Sequence, residues 1–122
     1  MGTMRDFKKL NAWQKAHQLV LDVYEETRLF PPDERFGLTN QVRRSAASIP
    51  ANIAEGAGRG SDADYARFIN YALGSANETE YHIILAHDLR FLPENARDRL
   101  INQLREIRKM VTALSQTLRT SG

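Results

Sequence analysis

Residues 36–59 read FGLTNQVRRSAASIPANIAEGAGR, and this stretch decides the fold. Its apolar side chains recur every three or four residues, as on one face of an α-helix, at Leu38, Val42, Ala46, Ile49, Ile53 and Ala57. Pro50 stands inside this run, where a proline removes a backbone donor and costs about 3 kcal/mol. The pattern therefore predicts a core helix that is kinked at Pro50.

Three further segments have helical periods, so the whole chain is predicted to be all-α. In the first, the stripe comprises Leu10, Trp13, His17, Val20, Tyr24 and Thr27. In the third, it includes Tyr65, Phe68, Ile69, Ala72, Leu73, Ala76, Tyr81, Ile84, Leu85 and Phe91. The fourth has a heptad seam of Leu100, Leu104, Ile107, Val111, Leu114 and Leu118, which favours near-parallel packing of helices.

The breaks between these segments set the predicted helix boundaries. Pro31-Pro32 cannot continue a helix, and the run from Gly56 to Gly60 closes the second segment. Pro93 breaks the third segment, and Ser61 with Asp64 has capping-box spacing. We predict helices at about residues 8–29, 36–57, 62–91 and 94–118, within one domain spanning residues 1–122. Residues 1–4 are set aside as vector-derived or disordered. Four similar lengths with short connections predict an antiparallel up-down-up-down four-helix bundle.

Composition narrows the classes of function. The 122 residues are 42% hydrophobic and 26% charged, contain no Cys, and show neither a membrane-length apolar run nor a secretory leader. We therefore expect a cytoplasmic protein that has no membrane association, no disulfides and no thiolate metal site. The net charge is only +2, but thirteen of the seventeen basic residues are Arg, which binds phosphate and carboxylate with a planar fork.

Motifs for metal binding and catalysis are missing from the sequence. None of the histidines, His17, His82 and His87, completes a Glu-x-x-His pair, so no metal or cofactor is predicted. The run of alternating glycines from Gly56 to Gly60 lacks the spacing of a phosphate loop and is interpreted as a helix C-cap in which glycine tolerates positive φ. We expect a protein that is not an enzyme.

Polar residues beside the apolar stripes predict a structural layer between the second and third helices. Its members are Ser45, Asn52, Glu55, Asn77 and Glu78. Such layers fix register and partner choice in helical assemblies. The alternative is an acid–base site built on the carboxylates, which a slim bundle would leave without a cleft.

Basic residues form two local groups that are candidates for phosphate contacts. The nucleic-acid-binding candidates are Arg43, Arg44, Arg59, Arg105, Arg108 and Lys109. The alternative is a solvated surface on which these charges form ion pairs. Assembly of several bundles would multiply each modest basic stripe and increase its avidity.

The core Ser-Ile-Pro-x-Asn-Ile-Ala-Glu-Gly at residues 48–56, with Leu10-x-x-Trp13-x-x-Ala16-His17 and Leu73-Gly74-Ser75-x-x-Glu78, resembles a known family. These are the four-helix bundle proteins encoded in intervening sequences of bacterial 23S rRNA genes, also labelled S23 ribosomal proteins. The resemblance covers residues 7–118. It implies a homopentameric ring, and it extends to the accessory variability protein of diversity-generating retroelements, which binds nucleic acid and a reverse transcriptase.

The resemblance transfers no catalytic residue and no established activity. Nucleic acid, RNA or DNA, and a reverse transcriptase or another protein are therefore the expected partners, together with further copies of the chain. A non-enzymatic bundle that binds nucleic acid is the first hypothesis, and a scaffolding subunit without nucleic-acid binding is the alternative.

Overall fold

The computed structural model describes residues 6–121, where it contains four α-helices and no β-strand. They are α1 (Asn11–Thr27), α2 (Leu38–Ala57), α3 (Asp62–Asp88) and α4 (Glu94–Ser121). Each helix packs against the one before it, and α4 packs back against α1. This arrangement confirms the predicted all-α up-down-up-down four-helix bundle.

The α1 helix is shorter than predicted at both ends. Phe7–Lys9 forms a separate 3-10 turn, and Leu10 after it has extended backbone angles, so α1 begins at Asn11. The helix ends at Thr27, ahead of a second 3-10 turn at Pro32–Glu34. Residues 1–4 lie outside the described residues.

The starts of the other three helices are set by local capping contacts or by a proline. Glu34 Oε1 accepts the Leu38 N–H at 2.9 Å, so α2 begins two residues later than predicted. Ser61 Oγ accepts the Asp64 N–H at 3.2 Å, which confirms the N-cap predicted for α3. Pro93 ends the preceding loop, and α4 starts at the next residue, as predicted.

The C-terminus of α3 also differs from the prediction, which placed it at residue 91. Arg90 has a φ of 68°, in the left-handed region. The Phe91 N–H then donates back to the Ala86 carbonyl at 2.9 Å, closing the helix at Asp88. A reversal of this kind ends many helices, although glycine is its usual residue.

The core confirms two of the predicted stripes. Five members of the α4 seam and all six apolar positions quoted for α2 are buried, with Leu114 half-buried. The helix α2 runs without interruption through Pro50, whose ring is buried. A bend at Pro50 stays a prediction.

The α1 stripe was only partly right, since Thr27 is buried and Leu10, Trp13 and Val20 pack half-buried against the core. The buried positions are Ala12, Ala16, Leu19, Val23 and Thr27, whereas His17 and Tyr24 are exposed. The larger side chains at Trp13, His17 and Tyr24 obscured a narrower core stripe that contains two alanines. Small residues are sufficient there because they let α1 approach its neighbours closely.

The α3 stripe was right in its first half and, in its second half, only at Leu85 and Phe91, which pack half-buried against the core. After Ala76 the core continues through Thr79, His82, Ile83 and Ala86, and Tyr81 and Ile84 face outwards. Apolar residues lie on both faces of α3 beyond Ala76, so periodicity alone does not distinguish the core face from the outer one.

Gly56 is required by packing and not by positive φ. A Cβ there would lie 2.8 Å from Tyr65 Cδ1 and 3.0 Å from Phe68 Cβ. The next glycine, Gly58, has a φ of −89°, which any residue adopts, so the positive φ predicted for this run is wrong at that position. Glycine therefore allows the end of α2 to lie against α3.

No helix in the described part of the chain is long and apolar enough to cross a membrane.

Candidate functional site

Three of the six predicted nucleic-acid-binding residues lie together on the outer face of α4. Arg105, Arg108 and Lys109 border a shallow depression that Thr112, Ala113 and Gln116 complete. Arg105 and Lys109 are exposed and lie one helical turn apart, so their charged groups project from the same side of the bundle.

Ion pairs determine which cations of α4 are free. Arg97 pairs with Glu94 and Asp98, and Arg99 pairs with Glu26 of α1. Glu106, the carboxylate next to Arg105 in the sequence, pairs with Lys15 of α1 at 3.1 Å. The acidic residues of α4, namely Glu94, Asp98 and Glu106, are thus paired with cations other than Arg105.

Arg108 is held by an ion pair with a residue of α3. Its Nη2 atom lies 2.7 Å from Glu80 Oε1, and both side chains are about three-quarters buried. Its Nη1 atom is buried and has no hydrogen-bond partner among the described residues. Arg108 thus adds charge to the edge of the depression, but its ion pair limits its reach.

Arg105, Lys109 and Arg119 have no carboxylate within ion-pair distance in the described part of the chain. Arg105 makes only a long hydrogen bond, 3.4 Å from its Nη1 to Asn102 Oδ1. Arg119, which the sequence analysis did not select, is exposed near the C-terminal end of the same helix. We call Arg105, Lys109 and Arg119, with the shallow depression beside them, the α4 basic patch.

The basic candidates on α2 are not part of this patch. Arg43 Nε donates to Thr27 Oγ1 at 2.8 Å, and its guanidinium lies 4.5 Å from the centre of the Tyr24 ring. The two contacts fix Arg43 against α1. Because α2 and α4 do not touch in the bundle, the α2 cations and the α4 basic patch lie on different sides.

Arg59 and Arg44 lie along the junction of α2 and α3. Arg59 pairs with Glu55 at 2.8 Å and stacks over the Phe68 ring at 4.5 Å. Arg44 is exposed beside a polar groove that Gln41, Ser45, Ser48 and Glu78 also line. The structure therefore separates the six predicted cations into an α4 group and scattered positions on α2 and in the loop that follows it.

Nearby, Arg67 is hydrogen-bonded to Asp64 at 2.9 Å. This bond, with a smaller effect from Tyr71, raises the pKa of Arg67 above its ordinary value, so its charge is permanent.

A polar layer does connect α2 and α3, and its composition differs from the prediction. Ser45 Oγ lies 3.2 Å from His82 Nδ1 and 3.0 Å from Thr79 Oγ1. One turn further along α2, Ser48 Oγ lies 2.7 Å from Ser75 Oγ. Asn52 Nδ2 donates to the Ser48 carbonyl at 2.8 Å, so the hydroxyls and the amide satisfy one another.

Ser45 and Asn52 thus belong to the layer, and Glu55 and Asn77 do not. Both of the latter are exposed, and Glu55 is held by Arg59. Glu78 is also exposed and lies at the edge, with Oε2 3.9 Å from His82 Nε2. The interior of the layer contains hydroxyl groups where carboxylates were predicted, because a buried charge requires a compensating partner.

Four members of the layer were not predicted from the sequence: Ser48, Ser75, Thr79 and His82. A signal for them exists, since Ser45, Ser48 and Asn52 on α2 and Ser75, Thr79 and His82 on α3 each recur at steps of three and four. Two such polar stripes on consecutive antiparallel helices predict a shared layer.

The contacts of Ser45, His82 and Glu78 superficially resemble a nucleophile, a base and a carboxylate. Their geometry does not match that chemistry, because Glu78 lies beyond hydrogen-bond distance and Ser45 and His82 are 5% and 6% exposed within a helix interface. The described residues also contain no group of three His, Asp or Glu side chains that would hold a metal ion.

Comparison with known proteins identifies a family and similar solved structures. Residues 8–113 match the family described as 23S rRNA-intervening sequence protein. No curated protein matches the chain. A protein of unknown function from the S23 ribosomal protein family of Bacteroides thetaiotaomicron is 27% identical, with a TM-score of 0.79 over 86% of this chain and 95% of that chain.

Proposed function

Because the chain belongs to the 23S rRNA-intervening sequence protein family, we propose that it is a non-enzymatic, homo-oligomeric bundle that binds nucleic acid through the α4 basic patch. The observation that supports this most directly is that Arg105 and Lys109 project together and have no carboxylate partner in the described part of the chain. Phosphate contacts need only such a stripe of free positive charge.

One bundle presents few free cations, so we propose that several copies of the chain assemble. The net charge of one chain is +2, and seven of the thirteen described cations outside the patch are held in ion pairs. Several copies that present the same patch would bind one nucleic acid with much higher avidity than a single copy. The family description refers to 23S rRNA, so a structured rRNA fragment is the first probe.

The test is the salt dependence of binding, measured by fluorescence anisotropy with that RNA at 50 and 200 mM KCl. Three phosphate contacts give a slope of log K against log salt of about −2 to −3 and weaken binding about 20- to 40-fold over this range. The double variant Arg105→Gln/Lys109→Gln removes two contacts, so the slope should become shallower by about 1.4–1.8 per subunit.

A matched control removes the same formal charge elsewhere. Arg28→Gln/Arg99→Gln replaces two exposed cations outside the α4 basic patch that are already ion-paired with Glu25 and Glu26. This variant should keep most of the wild-type slope. No binding at 50 mM salt, a slope near zero, or equal losses in both double variants would contradict the proposal.

A scaffolding subunit without nucleic-acid binding is the second candidate. It is favoured because Arg43, Arg59 and Arg108 contact other residues of the chain. These contacts leave half of the six predicted cations unavailable to nucleic acid. Recovery of a defined protein, such as a reverse transcriptase, from nuclease-treated lysate would favour this candidate, provided that the purified chain fails to bind RNA at 50 mM salt.

A further inference from the structure

Three rings form a continuous stack at the start of α1. The Phe7 ring meets the Trp13 ring edge to face, with their centroids 5.1 Å apart. The His17 ring lies nearly parallel to the Trp13 ring, at an angle of 9° and with 5.0 Å between centroids. Phe7 and Trp13 are half-buried against the core, whereas His17 is exposed. We call these three rings the α1 ring stack.

The outer end of the α1 ring stack is accessible to a ligand. Among the described residues, Trp13 is the only one whose ring contacts that of His17. Because Phe7 and Trp13 pack on the core, they hold the exposed His17 ring in a defined orientation. A planar group that stacks on this ring therefore binds at a low cost in side-chain entropy.

The segment that carries the stack is basic. Residues 7–21 contain three of the four Lys residues of the chain and no Asp or Glu. Lys8 and Lys9 are exposed and have no carboxylate within ion-pair distance in the described part of the chain. Asp6, just before this segment, accepts the Lys8 N–H at 3.1 Å. Two free ammonium groups thus accompany the rings.

Hydrogen bonds fix the backbone of these lysines next to the stack. Gln14 Nε2 donates to the Lys8 carbonyl at 2.8 Å, and the Leu10 N–H donates to the Phe7 carbonyl at 3.0 Å. Both bonds hold the 3-10 turn Phe7–Lys9 against the first turn of α1. The rings and the cations are therefore held together before any ligand binds.

A ring stack beside free cations matches the chemistry of unpaired nucleotides. Each nucleotide has a phosphate for an ammonium group and a planar base for a ring, and such stacking tolerates any base. In a duplex the bases stack on one another, so the same surface would meet mainly phosphates and sugars. An acidic protein would pair with the lysines but would leave the His17 ring without a planar partner.

We propose that the α1 ring stack, with Lys8 and Lys9, binds single-stranded RNA and that an unpaired base stacks on the His17 ring. The inference rests on the proposed nucleic-acid binding and adds to it a second contact, which selects unpaired nucleotides. The α4 basic patch, by contrast, offers contacts to phosphates and no ring.

The two sites lie within reach of one strand. The ion pairs Lys15–Glu106 and Glu26–Arg99 show that α1 and α4 are antiparallel, so the start of α1 and Arg119 lie at the same end of the bundle. About 12 nucleotides span about 40 Å at 3.4 Å per phosphate. Two helices side by side are only about 20 Å wide, so such a strand can pass around this end.

Trp13 fluorescence provides the test, because Trp13 is the only Trp in the chain and belongs to the stack. The probe is an oligoadenylate of about 12 nucleotides, within the usual site size for single strands, at 50 mM KCl. Its binding should quench Trp13, and the quenching should saturate together with the anisotropy of the labelled RNA. An RNA duplex of the same length should bind without this quenching.

Substitutions at exposed positions separate stacking from charge. His17→Ala should weaken oligoadenylate binding about 5-fold or more, whereas His17→Phe, which keeps a ring, should stay within about 2-fold of the wild type. Lys8→Gln/Lys9→Gln should make the slope of log K against log salt shallower by about 1.4, at about 0.7 per contact with a single strand. Circular dichroism checks that each variant is folded, and the lysine variant provides the test if His17→Ala is not.

Tyr81→Ala is the matched control, because it removes another exposed ring, on α3, and should leave the affinity unchanged. Unchanged Trp13 fluorescence at saturating oligoadenylate, equal quenching by the duplex, or equal affinities of His17→Ala and the wild type would overturn the ring-stack site. Polyglutamate that displaces the RNA and binds equally well to His17→Ala would point to an acidic protein as the partner and would also overturn it.

The ring-stack site and the α4 basic patch can fail separately. If Arg105→Gln/Lys109→Gln loses RNA binding while His17→Ala keeps it, the ring-stack site is wrong and the α4 basic patch stands. If His17→Ala loses binding while the Arg105/Lys109 double variant binds like the wild type, the ring-stack site stands and the α4 basic patch is wrong. A wild type that binds neither RNA at 50 mM KCl would contradict both.

Discussion

Replacing Gly56 with Ala is expected to destabilise the bundle by about 1–2 kcal/mol, because the added methyl group overpacks the contact between α2 and α3. Ordinary contacts of a Cβ begin at 3.4 Å, whereas this one would lie 2.8 Å from Tyr65 Cδ1, 3.0 Å from Phe68 Cβ and 3.1 Å from the Tyr65 carbonyl oxygen. The neighbouring atoms would have to move by 0.6, 0.4 and 0.3 Å, the differences between these distances and 3.4 Å.

Little around Gly56 can make these movements. Phe68 Cβ and the Tyr65 carbonyl are fixed to the backbone of α3, and the Tyr65 side chain is 1% exposed. Overpacking a core costs about 1–3 kcal/mol, and the better helix propensity of alanine offsets at most about 1 kcal/mol of it. For a chain of this length the remainder lowers the Tm by about 4–8 °C.

The measurement is urea unfolding at a fixed protein concentration, since association raises apparent stability. With a slope of about 2 kcal/mol per M, the midpoint should fall by about 0.5–1 M. Gly58→Ala is the control, because its Cβ would make only ordinary contacts, at 3.7 and 3.9 Å, and should change stability by less than about 0.5 kcal/mol. A Gly56→Ala midpoint at or above the wild type, or an equal loss in Gly58→Ala, would refute the packing argument.

Two further substitutions test the layer and the core. Ser45→Ala removes the hydroxyl between His82 and Thr79 and should cost about 1–3 kcal/mol in urea unfolding, because buried polar atoms lose a partner; a loss below about 0.5 kcal/mol would mean that water replaces the hydroxyl. Leu104→Ala empties a fully buried position and should cost about 2–5 kcal/mol, more than Leu114→Ala at a half-buried position of the same seam, and equal losses would contradict the observed core.

Local signals were sufficient for the architecture. The apolar stripe of α2 and the seam of α4 are periods within single helices, and a helix that buries one face must show that period whatever its neighbours are. The helix starts at Ser61 and Pro93 are also local, because a side-chain acceptor or a missing N–H acts within one turn. For these reasons the bundle and its order were predictable before any contact was known.

The limits of prediction appear where two faces of one helix look alike. In α1, the exposed His17 and Tyr24 are larger than the buried Ala12 and Ala16, so side-chain size shifted the predicted stripe away from the centre of the core. In α3, Tyr81 and Ile84 are as apolar as residues of the core, yet they are exposed. Hydrophobicity identifies a face that can be buried, and only the neighbouring helices determine which face is.

The sequence by itself determined the helices, their breaks and the family. Tertiary structure alone decided which charges are free, because Lys15–Glu106, Glu26–Arg99 and Glu80–Arg108 join residues on different helices. It also decided that Ser45 meets Thr79 and His82 in the layer between α2 and α3. The physical reason is that periodicity is a property of one helix, whereas pairing depends on the register between antiparallel helices, which is set by packing over the whole length of the bundle.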